Sequence, residues 1–216
     1  MKLNFDTLKR RQHELGETLP QDVYLRVHRA LSWLKAANES SSPDAKFIFL
    51  WIAFNAAYAQ EFKSGQELMK RDSFKEFLGR LLRLDCEDLV YNIVWENYSG
   101  KIRLFIDNQY VSRYFWDYHN GRLTEEQWVK KFERSRAMAQ KALAIKDTVV
   151  FVGILFDRLY VLRNQLVHGG ATWESKVNRD QVRDGYRIMQ DLAPAIIHII
   201  MENAEEAWGK PCYPPV

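Results

Sequence analysis

Cysteine is nearly absent from the sequence: Cys86 and Cys212 are the only two, far apart and in no metal-ligand or redox spacing. They imply no disulfide, and a reducing cytoplasm is the compartment they suggest. No run of about 18 uncharged apolar residues occurs, and the opening MKLNFDTLKRRQHELGETLP lacks an apolar stretch of signal-peptide length. These absences predict a soluble, cytoplasmic protein with no membrane contact. A glycine-rich phosphate loop, a nucleophile elbow and a zinc signature are also missing, and His13, His28, His119 and His198 form no ligand cluster. Nothing calls for a metal or a cofactor. Charge of one sign is not in excess either: 31 Lys+Arg stand against 28 Asp+Glu, a net +3. That balance permits contact with nucleic acid but falls short of the strongly basic composition of a non-specific binder.

Strand-like alternation, internal repeats and low-complexity tracts are absent too, and what remains reads as helices. Val23, Val27, Ala30, Leu31 and Leu34 recur at helical spacing and predict a helix over 20–38, with Pro20 in its first turn and Asn38 near its end. After ESSSP, which offers serine caps and a helix-starting proline, Phe47, Leu50, Trp51, Phe54 and Tyr58 mark one face of a deeply buried second helix. Amphipathic pieces follow at 67–84 and 86–98, then an aromatic stretch to His119 and an NG turn. The capping box TEEQ, Thr124 to Gln127, starts a helix that reaches Ile145. Asp147 caps the next helix, and a final one is expected from Asn178 to Trp208, kinked or split at Pro194. The length of 216 residues suits a single all-α domain.

The helix that begins near Asp147 ends in LRNQLVHGG, Leu162 to Gly170, which is out of keeping with what precedes it. Val152, Leu155, Leu159, Leu162 and Leu166 form a packing seam, while Ile154, Phe156, Tyr160 and Val161 fill the other faces. Such a helix needs cover on more than one side, some of which a partner subunit can supply. Into it are set Arg163, Asn164 and His168, groups that are costly to bury alone and are therefore either satisfied structural residues or a site. At about 100° per residue, Arg163 lies on the flank of the seam while Asn164 and His168, four apart, share a different face. Gly169-Gly170 then supplies a left-handed cap.

RNQLVH fits the R-x4-H motif of the HEPN superfamily, with a polar residue directly after the arginine, late in an apolar helix and ahead of one more long helix. FLWIAFNAAYA also resembles the aromatic second helix of HEPN domains. The resemblance covers about half of the chain: 20–62 and 147–208 would form an up-and-down four-helix bundle, with 63–146 as a helical insertion. It implies a metal-independent ribonuclease in a defence or toxin system, or a non-cleaving relative that binds RNA, nucleotides or proteins. The partners it implies are RNA, a second copy of the chain whose motif faces the same cleft, and an antitoxin or other defence-system protein. Some toxin members carry a tyrosine two residues after the histidine. Here Gly170 stands there, so that contribution is missing or comes from elsewhere, for example Tyr160.

RNA carries its own nucleophile, the 2′-hydroxyl, so cleavage needs only proton transfer and stabilisation of charge on phosphorus oxygens. Imidazole titrates near neutral pH and suits His168 to the first task; a guanidinium fork suits Arg163 to the second. Asn164 would hold the imidazole or contact the ribose. Arg179, Arg183 and Arg187, spaced by four and preceded by Lys176, can guide a phosphate backbone, although Asp180, Asp184 and Asp191 interleave with them as in an ordinary ion-paired face. KIRLFIDNQYVSRYFWDYH mixes Lys101, Arg103 and Arg113 with Phe105, Tyr110, Tyr114, Trp116 and Tyr118, rings that either stack on unpaired bases or pack as core. Asn55 either bonds backbone or a facing helix, or supports the motif from beneath. The competing reading of the motif is structural: His168 caps carbonyls, and Arg163 pairs with an acid on a neighbouring helix.

Overall fold

The computed structural model describes residues 3–58, 70–97 and 99–212. Helices dominate it, and no β-strand occurs among the described residues. The chain forms two compact units, residues 1–90 with 189–216 and residues 91–188.

In the first unit, α1 (Phe5–Leu15) precedes α2 (Gln21–Glu39) and α3 (Pro43–Tyr58). α1 lies ahead of the first helix expected from the sequence, and its cap is a less familiar version of the reciprocal box: Asn4 Oδ1 accepts from Thr7 N–H and Thr7 Oγ1 from Asn4 N–H, both at 3.0 Å. Pro20 is the N-cap of α2 rather than a member of its first turn. The three-residue link between α2 and α3 makes them neighbours, and their buried faces meet Val27, Ala30, Leu31 and Leu34 to Phe47, Leu50, Trp51 and Phe54. Residues 59–62 of the expected second helix and 67–69 of the next lie outside the described residues; α4 spans Lys70–Arg83. Tyr58 stacks on Phe54 at 5.5 Å and meets Phe77 edge-on at 4.8 Å, and Phe77 in turn meets Trp208 at 6.0 Å. Arg26 is wholly buried and donates to the carbonyls of Ala57, Trp208 and Gly209 at 2.7, 3.1 and 2.9 Å, fastening the chain after the last helix.

The expected helix over 86–98 is instead a short α5 (Leu89–Tyr91) running into a π-helical turn at Asn92–Asn97; residue 98 lies outside the described residues. Asp85 sets its start, accepting from Leu89 and Val90 N–H at 2.8 Å each. In the second unit come α6 (Ser99–Asp107), a 3-10 turn at Gln109–Val111, α7 (Arg113–His119), α8 (Glu125–Ala144) and α9 (Thr148–Val167). The Thr124 capping box and the Asp147 cap form as expected, the latter accepting from Val150 N–H at 3.1 Å. α6 and α8 pack against α9, as does the turn at 109–111. They bury Val152, Leu155, Leu159 and Leu162 of the seam almost completely, while Leu166 is only half-buried.

The last helix, α10 (Arg179–Glu202), is shorter than its sequence suggested and is not split at Pro194. Past its end at Glu202, Asn203 N–H still donates to the carbonyl of Ile199 in helical register at 3.1 Å, and Asn203 Nδ2 caps the same carbonyl at 2.8 Å. The hydrogen bond that Pro194 cannot make is to the carbonyl of Gln190, an exposed residue. Among the described residues no helix is long and apolar enough to cross a membrane.

Candidate functional site

The RNQLVH segment forms the last turn of α9 and lies within the second unit. Polar side chains can end this helix because its packing ends first: Val161 and Leu162 are buried, 163–166 are half-buried, and from Val167 the chain is exposed. His168 is the C-cap, with φ −94° and ψ 12°, and its N–H returns to the carbonyl of Asn164 at 3.0 Å. Its imidazole is exposed and has no hydrogen-bond partner among the described residues. Gly169 takes φ 72°, a left-handed conformation that favours glycine, and Ala171 N–H closes the turn on the carbonyl of Gln165 at 2.9 Å. A Cβ at Gly170 would stand 3.4 Å from that same carbonyl oxygen.

Arg163 is half-buried. Its Nη1 donates to Asn164 Oδ1 at 2.9 Å, its guanidinium carbon lies 6.0 Å from the centre of the Tyr160 ring, and its buried Nε has no acceptor among the described residues. Among the described residues no carboxylate is within ion-pairing distance of it. Asn164 therefore engages Arg163 through its side chain and His168 only through its backbone. Tyr160 is 52 % exposed.

One turn earlier, Arg158 shows what a structural arginine looks like on the same helix. It is 2 % exposed, donates from Nε to the carbonyl of Ile106 at 3.2 Å and from Nη2 to Ser135 Oγ at 3.0 Å, and lies 5.5 Å from the Phe132 ring centre. Burial pushes its pKa below the usual arginine value. Nothing in FDRLY distinguishes it in sequence from Arg163.

The weaker candidates separate. Arg183 is paired with Asp180 at 2.8 Å and Asp184 at 3.5 Å, and Arg179 donates to the carbonyl of Ser175 at 2.6 Å, closing the loop ahead of α10. Arg187 is half-buried and Lys176 exposed. Asn55 is half-buried on α3, in the other unit, and its side chain has no hydrogen-bond partner among the described residues.

A residue the sequence reading passed over is Gln165, in a variable position of R-x4-H. Its Nε2 donates to the carbonyl of Tyr110 at 2.6 Å, and Trp116 Nε1 donates to the same oxygen at 2.8 Å. The turn at 109–111 is thus tied to the motif helix. Phe105 is core, at 3 % exposure, and Tyr114 and Tyr118 are half-buried, whereas Tyr110 is 49 % and Trp116 37 % exposed. Among the described residues no group of three or more His, Cys, Asp or Glu is placed to hold a metal ion. Comparison with protein-family models, with curated proteins and with solved structures gives no match.

Proposed function

We propose that the chain is a metal-independent endoribonuclease of HEPN type, with Arg163 and His168 as the catalytic pair and Asn164 as the positioning residue of Arg163. The observation that carries this is the contrast within α9. Arg158 is buried and bonded to protein, whereas among the described residues Arg163, five residues on, has no carboxylate partner and stands near the helix end where the exposed His168 has no hydrogen-bond partner for its imidazole. An arginine kept for structure would be expected to resemble Arg158. Support for the reaction class comes from the chemistry of the two groups and from the resemblance of RNQLVH to the R-x4-H motif.

In the reaction, a base takes the proton of the 2′-hydroxyl and O2′ attacks the adjacent phosphorus. The P–O5′ bond breaks, and an acid protonates the leaving oxygen, giving a 2′,3′-cyclic phosphate and a 5′-hydroxyl. Arg163 donates to the non-bridging oxygens as their charge grows. One imidazole serves as base or acid, and His168 of a second copy facing the same cleft serves as the other. The setting we propose is an RNA-targeting defence or toxin system with an antitoxin or other defence-system protein as partner.

The test is incubation of the protein with cellular RNA and tRNA in EDTA, beside folded Arg163→Ala and His168→Ala variants. Cleavage that leaves 2′,3′-cyclic phosphate ends, reduced by at least about 100-fold in both variants, is the expected result. Absence of cleavage by the wild type, or undiminished cleavage by the variants, overturns the assignment.

A further inference from the structure

The 109–111 turn is held more firmly than its exposed position alone would suggest. Three side chains converge on Tyr110 backbone atoms: Gln165 Nε2 and Trp116 Nε1 donate to its carbonyl, and Asn108 Oδ1 accepts from its N–H at 2.9 Å. Its ring is nonetheless half in solvent. The ring packs edge-on to Phe115 at 5.3 Å, and Phe115 in turn meets Trp116 at 5.2 Å and His119 at 4.3 Å. Tyr110, Trp116 and His119 are all exposed, and each packs against Phe115, so three solvent-accessible rings gather around one half-buried one.

The place of this surface is set by Gln165. On a helix, residues three apart are neighbours on one side, and Gln165 is three residues before His168, about 4.5 Å of helix rise. The turn that carries Tyr110 therefore joins α9 beside the end where the imidazole emerges. Basic groups occur on the same two helices: Arg113 of α7 and Lys131 of α8 lie 4.7 and 5.8 Å from the centre of the Tyr114 ring, while the acids Asp117 and Glu133 are engaged by Arg122 and Arg136. Exposed flat rings in a fixed setting, on elements that also carry basic groups, suit unpaired nucleobases, which offer a π-face whatever their sequence.

We infer that Tyr110, with Trp116, is a stacking platform for an unpaired base of single-stranded RNA on the His168 side of the motif helix. This rests on the ribonuclease reading for its place in the reaction, but the stacking itself can be measured without cleavage. Binding of a fluorescent single-stranded oligonucleotide with 2′-deoxy sugars, which cannot be cut, is compared for the wild type, Tyr110→Ala, Tyr110→Leu, Tyr110→Phe and Trp116→Ala, after matching their melting temperatures. Loss of one stacked base weakens binding by roughly five- to 150-fold. That loss is expected for Tyr110→Ala and Tyr110→Leu, with Tyr110→Phe close to the wild type. An abasic version of the oligonucleotide should bind all the proteins alike.

Binding of the wild type with no ribonuclease activity would sink the catalytic reading and leave the platform standing. Cleavage of natural RNA whose KM and affinity are unchanged in Tyr110→Ala would overturn the platform and leave the catalytic reading standing. Equal binding by the leucine and phenylalanine variants overturns it too, since apolar bulk would then suffice, as at a protein interface. Failure of the wild type to bind any single-stranded oligonucleotide also overturns it.

Discussion

Two arginines of α9, five residues apart, should respond differently to removal. Arg158→Ala leaves the carbonyl of Ile106 and the hydroxyl of Ser135 without the donors that now satisfy them, in a setting where the arginine is 2 % exposed. Each stranded acceptor costs about 1–3 kcal/mol, and the lost cation–π contact of the guanidinium with Phe132 adds to this, for a total of about 3–5 kcal/mol. At about 2–4 °C per kcal/mol for a chain of this size, the melting temperature should fall by roughly 10 °C. Arg163→Ala removes one hydrogen bond, to Asn164, and one cation–π contact at 6.0 Å. It also removes a buried Nε that has no acceptor among the described residues, which offsets part of the loss. The net should be about 1 kcal/mol, or roughly 2–4 °C. Thermal unfolding followed by circular dichroism at one protein concentration, for both variants in parallel, measures the difference. A fall for Arg163→Ala as large as that for Arg158→Ala would refute the reasoning, because Arg163 would then be a structural residue and its proposed role at phosphate would lose its main support.

The acid side of the stability curve and the capped helices give further tests. Hydrogen bonds from Arg11, 2.6 and 2.7 Å to the two carboxylate oxygens, hold Glu202 below the usual carboxylate range. A depressed carboxylate stabilises the fold above its unfolded value of about 4.3, and this contribution is lost as pH falls through the lower folded value. Glu202→Gln should therefore lower stability at neutral pH by no more than about 1 kcal/mol, since Arg11 is largely solvated, and should flatten the decline below pH 4.3. An unchanged acid slope in urea titrations across pH would show that the pair carries no such linkage. Thr124 Oγ1 accepts from Gln127 N–H at 3.3 Å at the start of α8, so Thr124→Ala should cost about 1 kcal/mol, read as a shift of the urea midpoint at constant m-value.

What the sequence alone determined is what depends on residues within a few positions of one another. The faces of α2, α3 and α9, the Thr124 and Asp147 caps and the left-handed Gly169 all arise from hydrogen bonds and side-chain spacing that span at most about one helical turn, and the sequence displays them directly. The α1 cap is equally local, but its asparagine and threonine stand in for the more familiar Ser/Thr and Glu/Gln pair and so give a weaker signal in sequence. The limits of α10 were less legible: it ends at Glu202, short of the Trp208 that the apolar spacing reached, and Pro194 lies within it without splitting it. Tertiary structure decided which polar residue is buried and which ring is bare. Arg158 and Arg163 have the same side chain on one helix, and only Ile106, Phe132 and Ser135, brought from α6 and α8, make the first a core residue. Phe105 and Tyr110 stand five residues apart in one aromatic stretch, yet one is core and the other is exposed beside Gln165. Burial and hydrogen-bond satisfaction depend on what the fold sets against a side chain from distant positions, which spacing along the chain does not encode.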